Sequence, residues 1–162
     1  MKKTRRSKRL SAGILFAMLF AAASNAQSAK NAAPAPAPVP EQIAHAKTVF
    51  ISNAGADGAE IYSGGIDRPY NQFYAAMKSW GRYELKPAPA GSDLVFELIF
   101  TTLPTEPFSR LHLTILDPST HAVLWAFTSH VKPALRQSTG DGNFDEAMAS
   151  LVASVKELAA RQ

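Results

Sequence analysis

The stretch that decides the fold is L113-T-I-L-D-P-S-T-H-A-V-L-W125. Asp117, Ser119 and His121 fall within five residues and are the three residue types of a hydrolase triad. Strand alternation offers a different account. If Asp117 faces His121 across a turn, Leu113 faces Trp125, Leu111 faces Phe127 and Ile115 faces Val123, and all six apolar side chains share one side of a hairpin. Pro118, Ser119 and Thr120 then form the loop, with Pro following Asp as ordinary turn chemistry. A triad needs a preorganised pocket with oxyanion donors, which an exposed loop tip lacks. The stretch therefore reads as two strands around a turn, and not as a catalytic centre.

Outward from the hairpin, the same rules order the chain. KTVFISN (47–53) is a β-branched apolar run ending in turn residues, and DLVFELIFTTL (93–103) is a second strand. Between them RPYNQFYAAMKSW repeats Tyr70, Phe73, Tyr74, Met77 and Trp80 at helical spacing. Asp67 stands where it can cap that helix and Gly81 where it can end it. RLHLTILD and HAVLWAFTSHV supply the hairpin strands. NFDEAMASLVASVKELAARQ is a closing helix with an apolar stripe from Phe144 to Leu158. Asn143 and Glu146 resemble a capping box at its start. The predicted order is β-α-β-β-β-α, an α+β two-layer sandwich with a four-stranded mixed sheet and two helices on one face. A right-handed crossover makes the first two strands parallel. The loops 53–67, 104–110 and 131–143 then leave one end of the sheet, and the 117–121 turn leaves the other.

The segment before the domain has a different chemistry. MKKTRRSKR carries six cations, an apolar run follows from Leu10 to Ala23, and SNA places small residues before a cut after Ala26. This is the order of a secretory signal peptide, residues 1–26, and its apolar run is shorter than the roughly 20 residues of a spanning helix. Arg5-Arg6 hints at twin-arginine export, but Lys8 and Arg9 favour the ordinary route. Residues 27–40, QSAKNAAPAPAPVP, form a Pro/Ala-rich linker of extended habit. Residues 41–162 have the size of one domain. Six of the seventeen Lys and Arg belong to the leader, so the remaining chain sets eleven cations against thirteen acids, a net of −2. No basic surface remains for nucleic acid. The chain has no cysteine, which excludes disulfides, thiolate zinc sites and a lipid-modified cysteine after the leader.

Other candidate chemistry is sparse. His45, His112, His121 and His130 lack metal-ligand spacing, and the Gly-rich NAGADGAEIYSGG has no phosphate-loop ending. Asp57, Glu60 and Asp67 lack the order of a calcium loop. Trp80 and Trp125 fall on predicted core faces, while Tyr83 is unassigned. The residue types suited to holding a ligand or partner gather at the long-loop end: Asp57, Arg68, Glu106, Arg110 and Arg136, with Asn53 and Lys132 nearby. No metal site, no cofactor and no catalytic residue is expected.

KTVFISN, FYAAMKSWGRYEL, SDLVFEL, LTILDPSTHAVLW and NFDEAMASLV, taken together over residues 45–160, resemble a group of uncharacterised secreted bacterial proteins of unknown function. The element order is similar to the small envelope domains of the TolB amino-terminal and curli-secretion type. The resemblance implies a non-enzymatic periplasmic or secreted domain that binds or scaffolds an envelope protein or the cell wall, and it supplies no catalytic residues. Two alternatives accompany it. One is an envelope hydrolase working from loops 53–67, 104–110 and 131–143. The other is a subunit of an envelope assembly that pairs through a sheet edge.

Overall fold

Alternating burial along the strands sets the architecture. The structure, a computed structural model, describes residues 37–102 and 108–161. The leader, most of the linker and Glu106 lie outside the described residues. The strands are β1 (Thr48–Asp57), β2 (Glu84–Lys86), β3 (Leu94–Thr101), β4 (Ser109–Leu116) and β5 (Val123–Val131). The helices are α1 (Glu41–His45), α2 (Arg68–Trp80) and α3 (Gln137–Ala160). The sheet order is β2-β1-β3-β4-β5, with β1 parallel to both neighbours and the remaining pairs antiparallel. On β3 and β4 the side chains of Leu94, Phe96, Leu98, Phe100, Leu111, Leu113 and Ile115 are buried on one face. Phe73 of α2 packs 6.4 Å from Phe96, and Phe144 of α3 packs 5.7 Å from Phe100. Phe96 and Phe100 share a side of β3, so both main helices lie against that side.

The sheet has five strands, one more than expected. The addition is β2, three residues within YELKPAP, too short for alternation to reveal. It forms because Glu84 N–H donates to the Lys47 carbonyl at 2.8 Å and Thr48 to Phe50 pair with Glu84 to Lys86. The same geometry buries Tyr83, which stacks edge-on against Trp80 and Phe96. Burial pushes the Tyr83 hydroxyl above its ordinary pKa. The helix α1 was not expected either; Ile43 is buried, and the Pro40 carbonyl accepts from Ile43 and Ala44. β1 runs on through the expected loop to Asp57, because a bulge between Asn53 and Ala56, with Gly55 at φ +122°, carries it across to pair with Phe100 and Thr101.

The hairpin keeps the expected face with a different register. Asp117 N–H donates to the Ala122 carbonyl, so the loop is Pro118 to His121, with His121 left-handed at φ 58°. Leu124 is then an extra residue, because Ile115 pairs with Trp125 while Leu116 pairs with Val123. Leu113 consequently faces Phe127 instead of Trp125. One added loop residue and one bulged residue are two single shifts whose effects on facing cancel. Trp125 and Phe127 return to the core side, while Val123, lying between the two shifts, is 64% exposed.

The closing helix begins at Gln137, six positions ahead of the expected capping box. Asn143 lies inside it and donates to the Lys132 carbonyl at 3.1 Å, and Glu146 pairs with Lys132 at the same distance. The added turns, through Gly140 and Gly142, are held by partners from the β1–α2 connection. At α2, Asp67 occupies the N-cap position without a capping side-chain bond, because its backbone already belongs to a 3-10 turn. Gly81 ends α2 at φ +67°, donating to the Met77 carbonyl at 3.2 Å.

Replacing Phe144 by Ala should cost about 3–5 kcal/mol in urea unfolding. Val123→Ala should change stability by less than about 0.5 kcal/mol. A large loss at Val123 would contradict the bulged register.

Candidate functional site

The long-loop end is built around one glycine. Gly58 follows β1 at φ +83°, and a Cβ there would lie 2.6 Å from the Thr102 hydroxyl oxygen. This close approach lets Thr102 N–H donate to the Asp57 carbonyl at 3.2 Å and leaves the Thr102 hydroxyl 2.9 Å from that of Ser109. The chain then makes a 3-10 turn over Ala59–Ile61. Ala59 and Tyr62 are buried anchors, and Tyr62 packs on Phe100 and Phe144 at 5.7 and 5.2 Å. Glu60 and Ile61, between the anchors, are held out toward solvent.

These residues form one wall of a cleft of about 660 Å3. Thr102, Ser109, residues 133–137 and Gly140 complete its lining. Leu135 is fully exposed and Ile61 is 64% exposed, an unusual display for two large apolar side chains in one cleft. The described lining carries one carboxylate, Glu60, and no histidine.

The four described residues of the expected ligand set do not share one lining. Arg136 lines the cleft, just before α3. Asp57 ends β1 opposite Thr101, exposed and outside the lining. Arg110 sits on β4 opposite Thr101 and His130, on the side of the strand away from Leu111. Arg68 is committed elsewhere. Its guanidinium pairs with Asp141, donates to Asp145 at 2.8 Å and to the Ser63 carbonyl at 3.0 Å, and lies 4.6 Å over the Phe144 ring. Glu106 lies outside the described residues. Sequence reasoning passed over Ile61, Tyr62, Thr102, Ser109 and Leu135. The one legible signal was Leu135, a large apolar residue within the otherwise polar connection KPALRQ.

The acids with displaced titration are acceptors of hydrogen bonds. Asp141 is held below its ordinary pKa by the Ser63 hydroxyl at 2.6 Å, then by the Ser63 N–H at 2.9 Å and by Arg68. Asp145 is lowered by Gln72 and Arg68, and Asp93 by the N–H groups of Lys47 and Thr48. Asp117 is lowered by the N–H groups of Thr120 and Ser119, at 3.0 and 2.7 Å, and accepts from Gln42 at 2.6 Å. Its carboxylate organises the turn, and the polar trio bends the chain. His112 shares a hydrogen bond with Thr128 at 2.8 Å. Among the described residues no three His, Asp or Glu side chains cluster as metal ligands, and no helix is long and apolar enough to cross a membrane.

No family model and no curated protein matches the chain. Among solved structures it is similar to the PelC dodecamer from Paraburkholderia phytofirmans, at 15% identity and a TM-score of 0.48 over 75% of this chain and 93% of that one. It is also similar to a DUF330-family protein from Xanthomonas campestris, at 12% identity and 0.46 over 73% and 85%. A third is the uncharacterized lipoprotein B from Nitrosomonas europaea, at 11% identity and 0.38 over 77% and 89%. Similarities of this degree assign neither an activity nor a partner.

Gly58→Ala should destabilise the protein by about 1–3 kcal/mol, measured by urea unfolding, since both backbone and space oppose it. The depressed aspartates fix the sign of the acid response. The folded state binds their protons less tightly than the unfolded chain, so stability is present above about pH 4 and declines as pH falls below it. Thermal melts from pH 7 to 3 should follow that course, and Asp141→Asn should flatten it.

Proposed function

We propose that this chain is an exported, non-enzymatic binding or adaptor domain of the cell envelope, and that its partner docks at the cleft lined by residues 60–62 and 133–137. The observation that carries this reading is the paired exposure of Ile61 and Leu135 across that cleft. Large apolar side chains held out by buried neighbours favour an apolar segment of a partner. The polar rim of Glu60, Arg136 and Gln137 can orient that segment. The basic, apolar leader supports export, and the Ala/Pro run supports a spacer. A hydrolase at this end is less well supported: Asp57 lies outside the cleft lining and Arg68 is held by Asp141 and Asp145. General acid–base chemistry needs groups poised within reach of one substrate.

The test uses a photocrosslinking residue at Leu135 in cells exporting the protein, with the same residue at Ser119, in the exposed turn at the far end of the sheet, as the control. A discrete adduct at 135, absent at 119 and abolished by Ile61→Asp, is the expected result. Identical labelling at both positions, or an adduct indifferent to Ile61→Asp, overturns the reading. Ile61→Asp should leave the melting temperature unchanged, because the side chain is already in water.

A further inference from the structure

The two edges of the sheet differ. β2 is three residues long and carries Glu84 and Lys86, which pair at 2.7 Å. A short, charged edge discourages further pairing. β5 runs nine residues, VLWAFTSHV, with no Lys, Arg, Asp, Glu or Pro. Among the described residues no strand pairs with its outer side. Its only blunting device is the bulge at Leu124, which leaves Trp125 to Val131 regular.

Along that strand the surface is large at one end and hollow at the other. Trp125 and Phe127 are only half-buried, and they border a shallow recess with Glu157, Leu158 and Arg161 of α3. Toward the other end, small side chains leave a recess of about 310 Å3 beside Ser129, Ala147 and Ser150, with Lys132 and Glu146 at its rim. We infer that β5 pairs antiparallel with β5 of a second copy of this chain, about a two-fold axis at Thr128, the midpoint of the regular segment.

A second copy is the occupant that these residues fit. Reversal of direction sets Phe127 of one molecule opposite Ser129 of the other, over the recess, and Trp125 opposite Val131. Large side chains therefore meet small ones twice, once in each half of a self-complementary interface. The strand is uncharged, so it meets its copy without like-charge repulsion. On α3 the reversal brings the Glu157–Arg161 end of one molecule toward the Lys132–Glu146 end of the other, and each end presents both signs. An unrelated strand would satisfy none of these matches by construction.

The absence of native cysteine makes the test direct. The full chain, exported with its own leader and purified, should show concentration-dependent doubling of mass in sedimentation equilibrium. Thr128→Cys should form an intermolecular disulfide, because residues on the axis of an antiparallel pair face each other at a Cα separation of about 5 Å. Ala126→Cys, whose counterpart is His130, should crosslink far less. Ser150→Trp, on an exposed helix position, should fill the recess and weaken association about tenfold or more with an unchanged melting temperature. A monomer at every concentration overturns the inference. So does a dimer that crosslinks better through position 126 than 128, or one indifferent to Ser150→Trp.

Discussion

The Arg68 guanidinium, stacked on Phe144 and bonded to Asp141, Asp145 and the Ser63 carbonyl, is the interaction on which the rest of this structure depends. It joins the connection after β1 to the first turns of α3. Those turns contain Gly140 and Gly142, residues that disfavour a helix when left to themselves. The Asp141 carboxylate, held by Ser63 and Arg68, supplies a tertiary reason for the backbone to coil there. Gly140 lies beside Tyr62, whose ring would stand in ordinary contact, 3.6 Å, with an added Cβ. Tyr62, Phe100 and Phe144 then close the core beneath the clamp. The cleft owes its walls to this arrangement, since the same anchors display Ile61 on one side and start α3 beside Leu135 on the other.

The end of the sheet that carries the hairpin turn uses polar side chains as backbone organisers. Asp93 receives the N–H groups of Lys47 and Thr48, and Asp117 those of Ser119 and Thr120. Each carboxylate replaces water at N–H groups that no ladder satisfies. This explains why a stretch composed like a catalytic triad has no catalytic geometry. Its acid accepts from Ser119, Thr120 and Gln42, and its histidine adopts a left-handed backbone in the turn.

The long strands, both main helices and the core face of the hairpin were legible, because each rests on periodicity over many residues. Phe73, Met77, Phe144 and Leu151 are buried where helical spacing placed them, and Leu111, Leu113 and Ile115 where alternation did. What escaped was short or non-local. Three residues of β2 and five of α1 carry too little pattern. The Leu124 bulge preserves which side Trp125 and Phe127 face, so alternation alone could not expose a wrong pairing. The capping box was misplaced because local chemistry at Asn143 competed with a tertiary bond at Asp141. Of the site, Arg136 was named beforehand, whereas the apolar pair Ile61 and Leu135 gained meaning only when two distant loops met.

The sequence by itself determined the α+β alternation, the chemistry of the leader and linker, and the absence of cysteine chemistry, since these follow from composition and short-range period. Only the tertiary structure decided where α3 begins, which residues line the cleft and which sheet edge is left long and uncharged. Each of those depends on contacts between residues far apart in the chain: Ser63 and Arg68 with Asp141, Gly58 with Thr102, and Lys47 with Glu84. Such contacts form through the closure of the fold, and no local pattern encodes them.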